Sequence, residues 1–444
     1  MTDTTNFPLQ NISEPELYRD VFPYVELPKL PFEADSVPME PAKQIWITDT
    51  TFRDGQQARP PYSIEQIVHL YKLMAKLDNG SGLIRMSEFF LYSEKDRLAV
   101  EKCLEVGAEF PQVTSWIRAV KSDFKLVKEM KLPETGILTS CSDYHIFLKL
   151  HKDRRQALDQ YLDVVRSALE EGIRPRCHFE DITRADFYGF VVPFAIELMK
   201  LREESGIDVK IRICDTMGYG VPWANASLPR SIPRIVHGLI HDAGVPGELL
   251  EFHGHNDFHK VVINPEAAWL HGCASCNASL LGIGERTGNT PLEAMVIEAA
   301  QLRTMSDSGE GVKYEVITEI ADYFTNVIGH DIPTNYPLVG RDFNTTRAGI
   351  HADGLLKSEE IYSAFDTRAI LNRAVEVAIT DKSGAAGLKH WIDKNFGTDV
   401  PKSDPRLLSI RDKVEAEYDT GRTTSISDEE LHAWYKEAFT DMKA

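Results

Sequence analysis

A chain of 444 residues has room for a large core, and its 43% hydrophobic and 26% charged content is ordinary for a globular protein. Sixty-eight acidic residues against 49 basic ones leave a formal net charge of -19, which repels phosphate backbones and anionic lipid and excludes nucleic-acid and membrane-surface roles. The N-terminus, MTDTTNFPLQ, lacks the cationic start and apolar stretch of a signal peptide, and the apolar runs are too short to span a bilayer, so the expected location is the cytoplasm.

Residues 1–43 are rich in Pro, Glu and Asp with no sustained period, and are expected to form an arm over the surface or over a partner subunit. From Ile45 onward, short apolar runs recur, each followed by a helical pattern. They begin near Ile45 (IWITDT), Leu83 (LIRMSE), Gln112 (QVTSW), Gly136 (GILTS), Arg174 (RPRCHFE), Val209 (VKIRICD), Leu249 (LLEFHGH) and Cys273 (CASCNASL). Eight such repeats predict an α/β fold, a closed (β/α)8 TIM barrel over residues 44–305. Ser63 and Gln66 predict a capping box ahead of Ile67 and Tyr71, and Thr290, Pro291 and Glu293 mark another helix start. Beyond the barrel, helix-like stretches at 313–328 and 366–380 flank a polar, Gly-rich segment from Gly340 to Gly354, which predicts small helical subdomains over 306–395. A charged helical tail completes the chain over 396–444.

In a β/α barrel the reacting groups come from the C-terminal ends of the strands. Strand one ends in Asp49-Thr50-Thr51-Phe52-Arg53-Asp54-Gly55-Gln56-Gln57, strand five in His178 and Glu180, strand six in Asp215-Thr216, and strand seven in His253-Gly254-His255-Asn256-Asp257. His253 and His255 are two apart on a strand, so both imidazoles point to one side. With the Asp54 carboxylate they make a two-His, one-carboxylate set that suits Mn, Fe, Co, Zn or, less comfortably, Mg. The competing reading, that the histidines merely bond loop carbonyls, loses ground once the acid of strand one is added. Arg53 has an alternative as an ion-pair partner of Asp49 or Asp54, and Glu180 with Asp181 as an ordinary helix-start acid pair. The six cysteines, including the Cys273/Cys276 pair within a strand, are expected as reduced and mostly buried thiols.

The segments DTTFRDGQQ (49–57), HGHND (253–257) and GIGERTGN (282–289) together resemble the metal-dependent acyl-CoA condensing enzymes, a family of isopropylmalate, citramalate, homocitrate and Re-type citrate synthases. The similarity spans about 45–390 with the motifs in family order. It implies a divalent metal, Mn2+ first and Mg2+, Co2+ or Zn2+ otherwise, held by Asp54, His253 and His255, with acetyl-CoA as co-substrate. By the same resemblance Arg53 faces the substrate carbonyl oxygen, Glu180 is the acid after strand five, and His351 with its partner Tyr362 supplies a catalytic pair from the later region. Thr216, Arg184, Gln57, His145 and Asn289 are implied at the substrate, although His145 has an alternative as a loop cap. Gly282, Gly284 and Gly288 let backbone approach the CoA arm. The family is usually dimeric, so a homodimer with the active site completed across the interface is expected.

The 2-oxo acid is read from departures. The short tail after Phe396 leaves little room for the regulatory domain usual in isopropylmalate synthases, the end of strand two, Arg85-Met86-Ser87-Glu88-Phe89-Phe90, departs from the acid-first pattern common in the family, and Asn277 sits where a carboxylate is often found. Arg85, Arg118 and Arg184 are then available for the second carboxylate of a dicarboxylate. The expected reaction is condensation of acetyl-CoA with oxaloacetate to citrate and CoA, and the N-terminal arm, DTTFRDGQQAR and the tail look most like the Re-citrate synthases. Homocitrate formation from 2-oxoglutarate and isopropylmalate or citramalate formation are the alternatives within the class. An acyl-CoA lyase or a catalytically silent binding barrel is the alternative outside it.

Overall fold

The computed structural model describes residues 7–302 and 309–440, which fall into two compact units dividing after Lys313. The expected boundary between 305 and 306 lies outside the described residues. In the first unit the strands are β1 (Trp46–Asp49), β2 (Ile84–Phe89), β3 (Gln112–Ile117), β4 (Glu134–Ser140), β5 (Arg174–Glu180), β6 (Lys210–Asp215), β7 (Leu250–Gly254) and β8 (Ser275–Ala278). They are hydrogen-bonded in chain order, all parallel, and β8 returns to β1 to close the barrel expected from the eight repeats. Each strand starts within two residues of its expected position.

The helices of this unit are α1 (Ile64–Asp78), α2 (Glu94–Glu105), α3 (Phe124–Glu129), α4 (Asp143–Ile146), α5 (Arg154–Glu170), α6 (Val192–Ser205), α7 (Ile232–His241), α8 (Ile263–Leu270) and α9 (Leu292–Gln301). α1 opens with the predicted capping box: the Ser63 hydroxyl accepts from Gln66 N at 3.2 Å while Gln66 Oε1 accepts from Ser63 N at 2.9 Å. The outward strand residues Phe179, Ile211, Ile213 and Phe252 join Phe194, Leu198 and Ile235 of the helices in one buried cluster. Each such side chain contributes roughly 1.5–3 kcal/mol on burial. Residues 10–42 of the arm run along this unit, with Gln10 N donating to Gly189 O, Ser227 N to Pro31 O and Ala42 N to Trp269 O.

The inward positions of the strands are polar, and they are filled by ions rather than by branched aliphatics. Glu88, Glu134 and Glu251 are met by Arg176, Lys210 and Arg212: Arg176 donates to Glu88 at 2.5 Å and to Glu134 at 2.7 Å, Lys210 to Glu134 at 2.7 Å, and Arg212 to Glu88 at 3.0 Å and to Glu251. All but Lys210 are buried. Three carboxylates against three cations leave this layer neutral, which is the condition for charges to persist in a low-dielectric interior.

The second unit contains α10 (Val316–Tyr323), α11 (Gly349–Lys357), α12 (Thr367–Leu371), α13 (Gly384–Phe396), α14 (Pro405–Asp419) and α15 (Asp428–Thr440), with a two-stranded parallel sheet of β9 (Thr345–Thr346) and β10 (Glu376–Val377). The helix expected over 366–380 is corrected here: it ends at Leu371, capped by Asn372 in the left-handed conformation. Beyond Asn372 the chain is extended because Val375, Val377 and Ile379 alternate inward, all buried, with period two. Among the described residues no helix is long and apolar enough to cross a membrane.

Candidate active site

The loop after β1 turns sharply, with Arg53, Asp54 and Gly55 all bonding back to Thr50 O, and this brings Asp54 over the end of the barrel. From β7, His253 and the residue two further on, His255, direct their Nε2 atoms toward one point, 3.2 Å apart and 4.0 and 3.8 Å from Asp54 Oδ2. All three side chains are buried. Asn277 of β8 accepts from His253 Nδ1 at 2.7 Å, which fixes the tautomer and leaves the Nε2 lone pair facing the cluster. Asp54 is held by Arg53 Nη1 at 2.7 Å on one oxygen and by Asn289 Nδ2 at 2.6 Å on the other.

Electrostatics favour a cation at that point. Burial alone would raise the Asp54 carboxyl, but Arg53 beside it, with the two histidines and Asn289, holds it below the usual carboxylate range. Burial, together with His255, pushes His253 down to about 3, so it is a neutral donor of a lone pair. Two neutral imidazole nitrogens in near contact with an ionised carboxylate form a ligand set with nothing positive between them, and a divalent ion fits that chemistry. Among the described residues one other group has such spacing, Glu40 with His237 and His241, but it is largely exposed and away from the strand ends.

A cavity of about 220 Å³ opens on this cluster. Of the residues expected at the site, Arg53, Asp54, Gln57, Glu180, Thr216, His253 and His255 line it, and Asn289 reaches it through Asp54. His145 stands one step back, with Nδ1 at 3.0 Å from Glu180 Oε2. Burial would raise Glu180, but His145, Ser140 and Lys149 bring it down to about 2, so it is ionised at neutral pH. Arg184 is elsewhere: it pairs with Asp181 at 2.9 Å and lies over the Tyr144 ring at 4.0 Å, off the cavity wall. Arg85 stacks on Trp46, and Arg118, 61% exposed, is paired with Asp123. His351 and Tyr362 belong to the second unit, where their rings pack at a tilt of 38° with centroids 4.3 Å apart.

The three glycines of the GIGERTGN loop have local work to do. Gly282 and Gly288 have φ of 63° and 96°, and a Cβ on Gly284 would stand 2.3 Å from Asn289 Oδ1. The loop is pinned by an antiparallel bridge between His255 and Asn289, so it places the amide on Asp54. Gly284→Ala therefore displaces Asn289: we expect kcat/KM to fall about tenfold or more with little change in melting temperature, read by steady-state kinetics and calorimetry. Trp116, on which Arg53 stacks at 4.5 Å, and Arg212 on the cavity floor are among the lining side chains that the strand ends did not point to, while His178, named at the end of strand five, also lies on that floor. His178 has its place because β4 carries Gly136, whose Cβ would fall 2.5 Å from the imidazole. The signal was in the alternation: Arg176, His178 and Glu180 share the inward face of β5, as do Lys210, Arg212 and Cys214 on β6.

The sequence pattern described as HMGL-like matches residues 44–323, more than half of the chain and the whole set of metal-type ligands. The chain belongs to the HMGL-like family. Within wider comparisons, it is 56% identical over 96% of its length to a citrate (Re)-synthase of Syntrophus aciditrophicus, covering 68% of that protein. It is 53% identical to the citrate (Re)-synthase of Clostridium kluyveri over 96% of this chain and 94% of the other, and 37% identical to the 2-phosphinomethylmalate synthase of Streptomyces hygroscopicus over 97% and 98%. An HMG-CoA lyase structure from Bacillus subtilis superposes with a TM-score of 0.51 at 18% identity, covering 66% of this chain and 97% of the lyase, a likeness of fold alone. In this HMGL-like barrel the six cysteines are free and buried, as expected, and burial raises all their thiols.

Proposed function

We propose that this chain is a transferase that condenses acetyl-CoA with oxaloacetate and water to give citrate and CoA, using a divalent ion held by Asp54, His253 and His255. The near-full-length match to two citrate (Re)-synthases carries the reading. The buried ligand set and its cavity agree with it. Mn2+ suits two imidazoles and a carboxylate better than Mg2+ does, with Co2+ or Zn2+ as alternatives. A bound divalent ion supplies Lewis acidity that polarises the C2 carbonyl of the 2-oxo acid.

The protein's own groups do the rest. Arg53 is pinned by Asp54 and Trp116, and its Nε has no protein partner, so it is poised to meet negative charge developing on the carbonyl oxygen. Thr216 and Gln57 line the wall and hold the first carboxylate. His351, its ring packed at a tilt against Tyr362, takes the proton from the acetyl methyl, the attacking carbon bonds to C2, and that proton passes on to the new alkoxide oxygen. Glu180, kept ionised at the rim, orients the water whose attack on the thioester releases CoA. We assign Gly282, Gly284 and Gly288 to the CoA side of the mouth. His351 and Tyr362 are exposed on the second unit, which fits delivery across a homodimer interface, and we place the enzyme in the cytoplasm.

Thiol release from acetyl-CoA across a panel of 2-oxo acids, with and without chelator, tests this. Oxaloacetate should exceed 2-oxoglutarate, 2-oxoisovalerate and pyruvate in kcat/KM by about a hundredfold or more, and chelator should stop turnover. Turnover of 2-oxoglutarate or 2-oxoisovalerate without oxaloacetate would overturn it.

A further inference from the structure

A second carboxylate needs a cationic partner in the cavity, and the three arginines expected for that task all lie off its wall. Besides Arg53, two arginines do line it: Arg286, whose Nε and Nη2 are taken up by the Asp257 carboxylate at 2.9 and 3.0 Å, and Arg212. We propose that Arg212, through its Nη2, anchors the distal carboxylate of a 2-oxo dicarboxylic acid and thereby sets the substrate class. The proposal rests on the condensing-enzyme reading above and names the residue that selects its substrate.

The guanidinium is fully buried, yet its hydrogen bonding is incomplete on one side. Nε donates to Glu251 and Nη1 to Glu88 at 3.0 Å, while Nη2 is buried with no partner in the protein. Arg176, its neighbour across the β5–β6 ladder, shows the contrast. There Nη1 donates to Glu134 at 2.7 Å, Nη2 to Glu88 at 2.5 Å and Nε to His178 at 3.4 Å, so all three nitrogens are engaged. A desolvated N–H left unmet is costly, and a charged donor is costlier still, so one kept beside a cavity is a binding group awaiting an acceptor.

Position agrees with chemistry. Cys214 of β6 is level with His253 of β7, and Arg212 is level with Glu251, two residues deeper in the barrel. Two residues of parallel strand are about 6.6 Å of rise. A 2-oxo acid whose carboxylate and carbonyl oxygen sit at the Asp54–His253–His255 end thus points its remaining carbons down toward Nη2, and the arginine side chain closes the gap. His178 stands among these groups on the same floor, and burial first, then Arg212, Arg176 and Arg53, keeps it uncharged. An acid ending in methyl groups would leave Nη2 bare and set hydrocarbon against a guanidinium. A planar fork on a planar carboxylate also rewards a dianion of the right length.

The competing role for Arg212 is that of counter-ion to Glu88 and Glu251 alone, and the experiment separates the two. Full-length wild type, Arg212→Lys and the charge-balanced pair Arg212→Gln/Glu88→Gln are purified, and their folding is checked by thermal melting. Oxaloacetate and pyruvate are titrated calorimetrically into Mn2+-loaded protein without acetyl-CoA, and thiol release is measured separately. In any folded variant, Kd and KM for oxaloacetate should rise about thirtyfold or more, KM for acetyl-CoA should stay within about twofold, and pyruvate binding should barely change. Unchanged oxaloacetate affinity in a folded variant overturns the assignment. If neither variant folds, the wild type decides, because oxaloacetate binding no tighter than pyruvate binding also overturns it. Failure of the wider reading looks different: wild type would then release no CoA with oxaloacetate while using another 2-oxo acid.

Discussion

His253→Ala should lower kcat/KM for CoA release by about 10³-fold or more, since loss of some 4 kcal/mol of Lewis-acid stabilisation corresponds to three decades in rate. The substitution removes one of three ligand atoms that lie within 4.8 Å of each other. Asn277 loses its imidazole partner too, so the loss includes the orientation of the site. His255→Ala should cost about as much, and the double variant little more than either alone, because residues that act as one unit are not additive. Metal analysis supplies a second readout. Wild type should retain close to one divalent ion per chain and gain thermal stability with added Mn2+, and His253→Ala should do neither. Retention of a tightly bound ion by the double variant would locate the metal elsewhere.

Glu88→Ala should destabilise the fold by about 3–5 kcal/mol, because it removes the carboxylate that Arg176 and Arg212 share inside the barrel and leaves two buried guanidiniums undercompensated. Glu88→Gln should cost less, since the amide oxygen still accepts one of those bonds. Denaturant unfolding at fixed ionic strength measures both. The pH dependence has a definite sign. Burial pushes Glu88 up, but Arg212, Arg176 and Arg53 bring it net below its ordinary value of 4.5, and Glu251 falls to about 2 for the same kind of reason. A carboxylate depressed in the folded state stabilises above its unfolded pKa and loses that contribution as pH falls through the folded value. The stability gap between wild type and Glu88→Ala should therefore be flat above about pH 4.5 and shrink below it. A gap that widened on acidification would mean that Glu88 is protonated in the native barrel.

Much of this molecule could be read along the chain. The strand starts come from apolar runs with turn residues between them, and α1 from Ser63 and Gln66. The expected helix over 366–380 shows the limit of such reading. A segment with Val375, Val377 and Ile379 supports either period until its neighbour is known, and β9 decides for the strand. The Asp54–His253–His255 cluster was legible because HxH on a strand has one geometry and because few acids end β1. The cation we assign to the second carboxylate was not. Arg85, Arg118 and Arg184 look as suitable as Arg212 in the sequence, and each is withdrawn by a partner in space: the Trp46 ring, Asp123 and Asp181.

The sequence by itself determined the eightfold βα repeat, the closed barrel and the three side chains at its mouth, because spacing of two or three-to-four residues dictates which side chains share a face. Only the tertiary structure decided that the barrel's interior is an ion lattice, that Asn289 rather than a second acid steadies Asp54, and that Arg212 keeps one nitrogen unmet. Pairing between strands assigns each donor its acceptor, and such assignments depend on neighbours that lie far away along the chain.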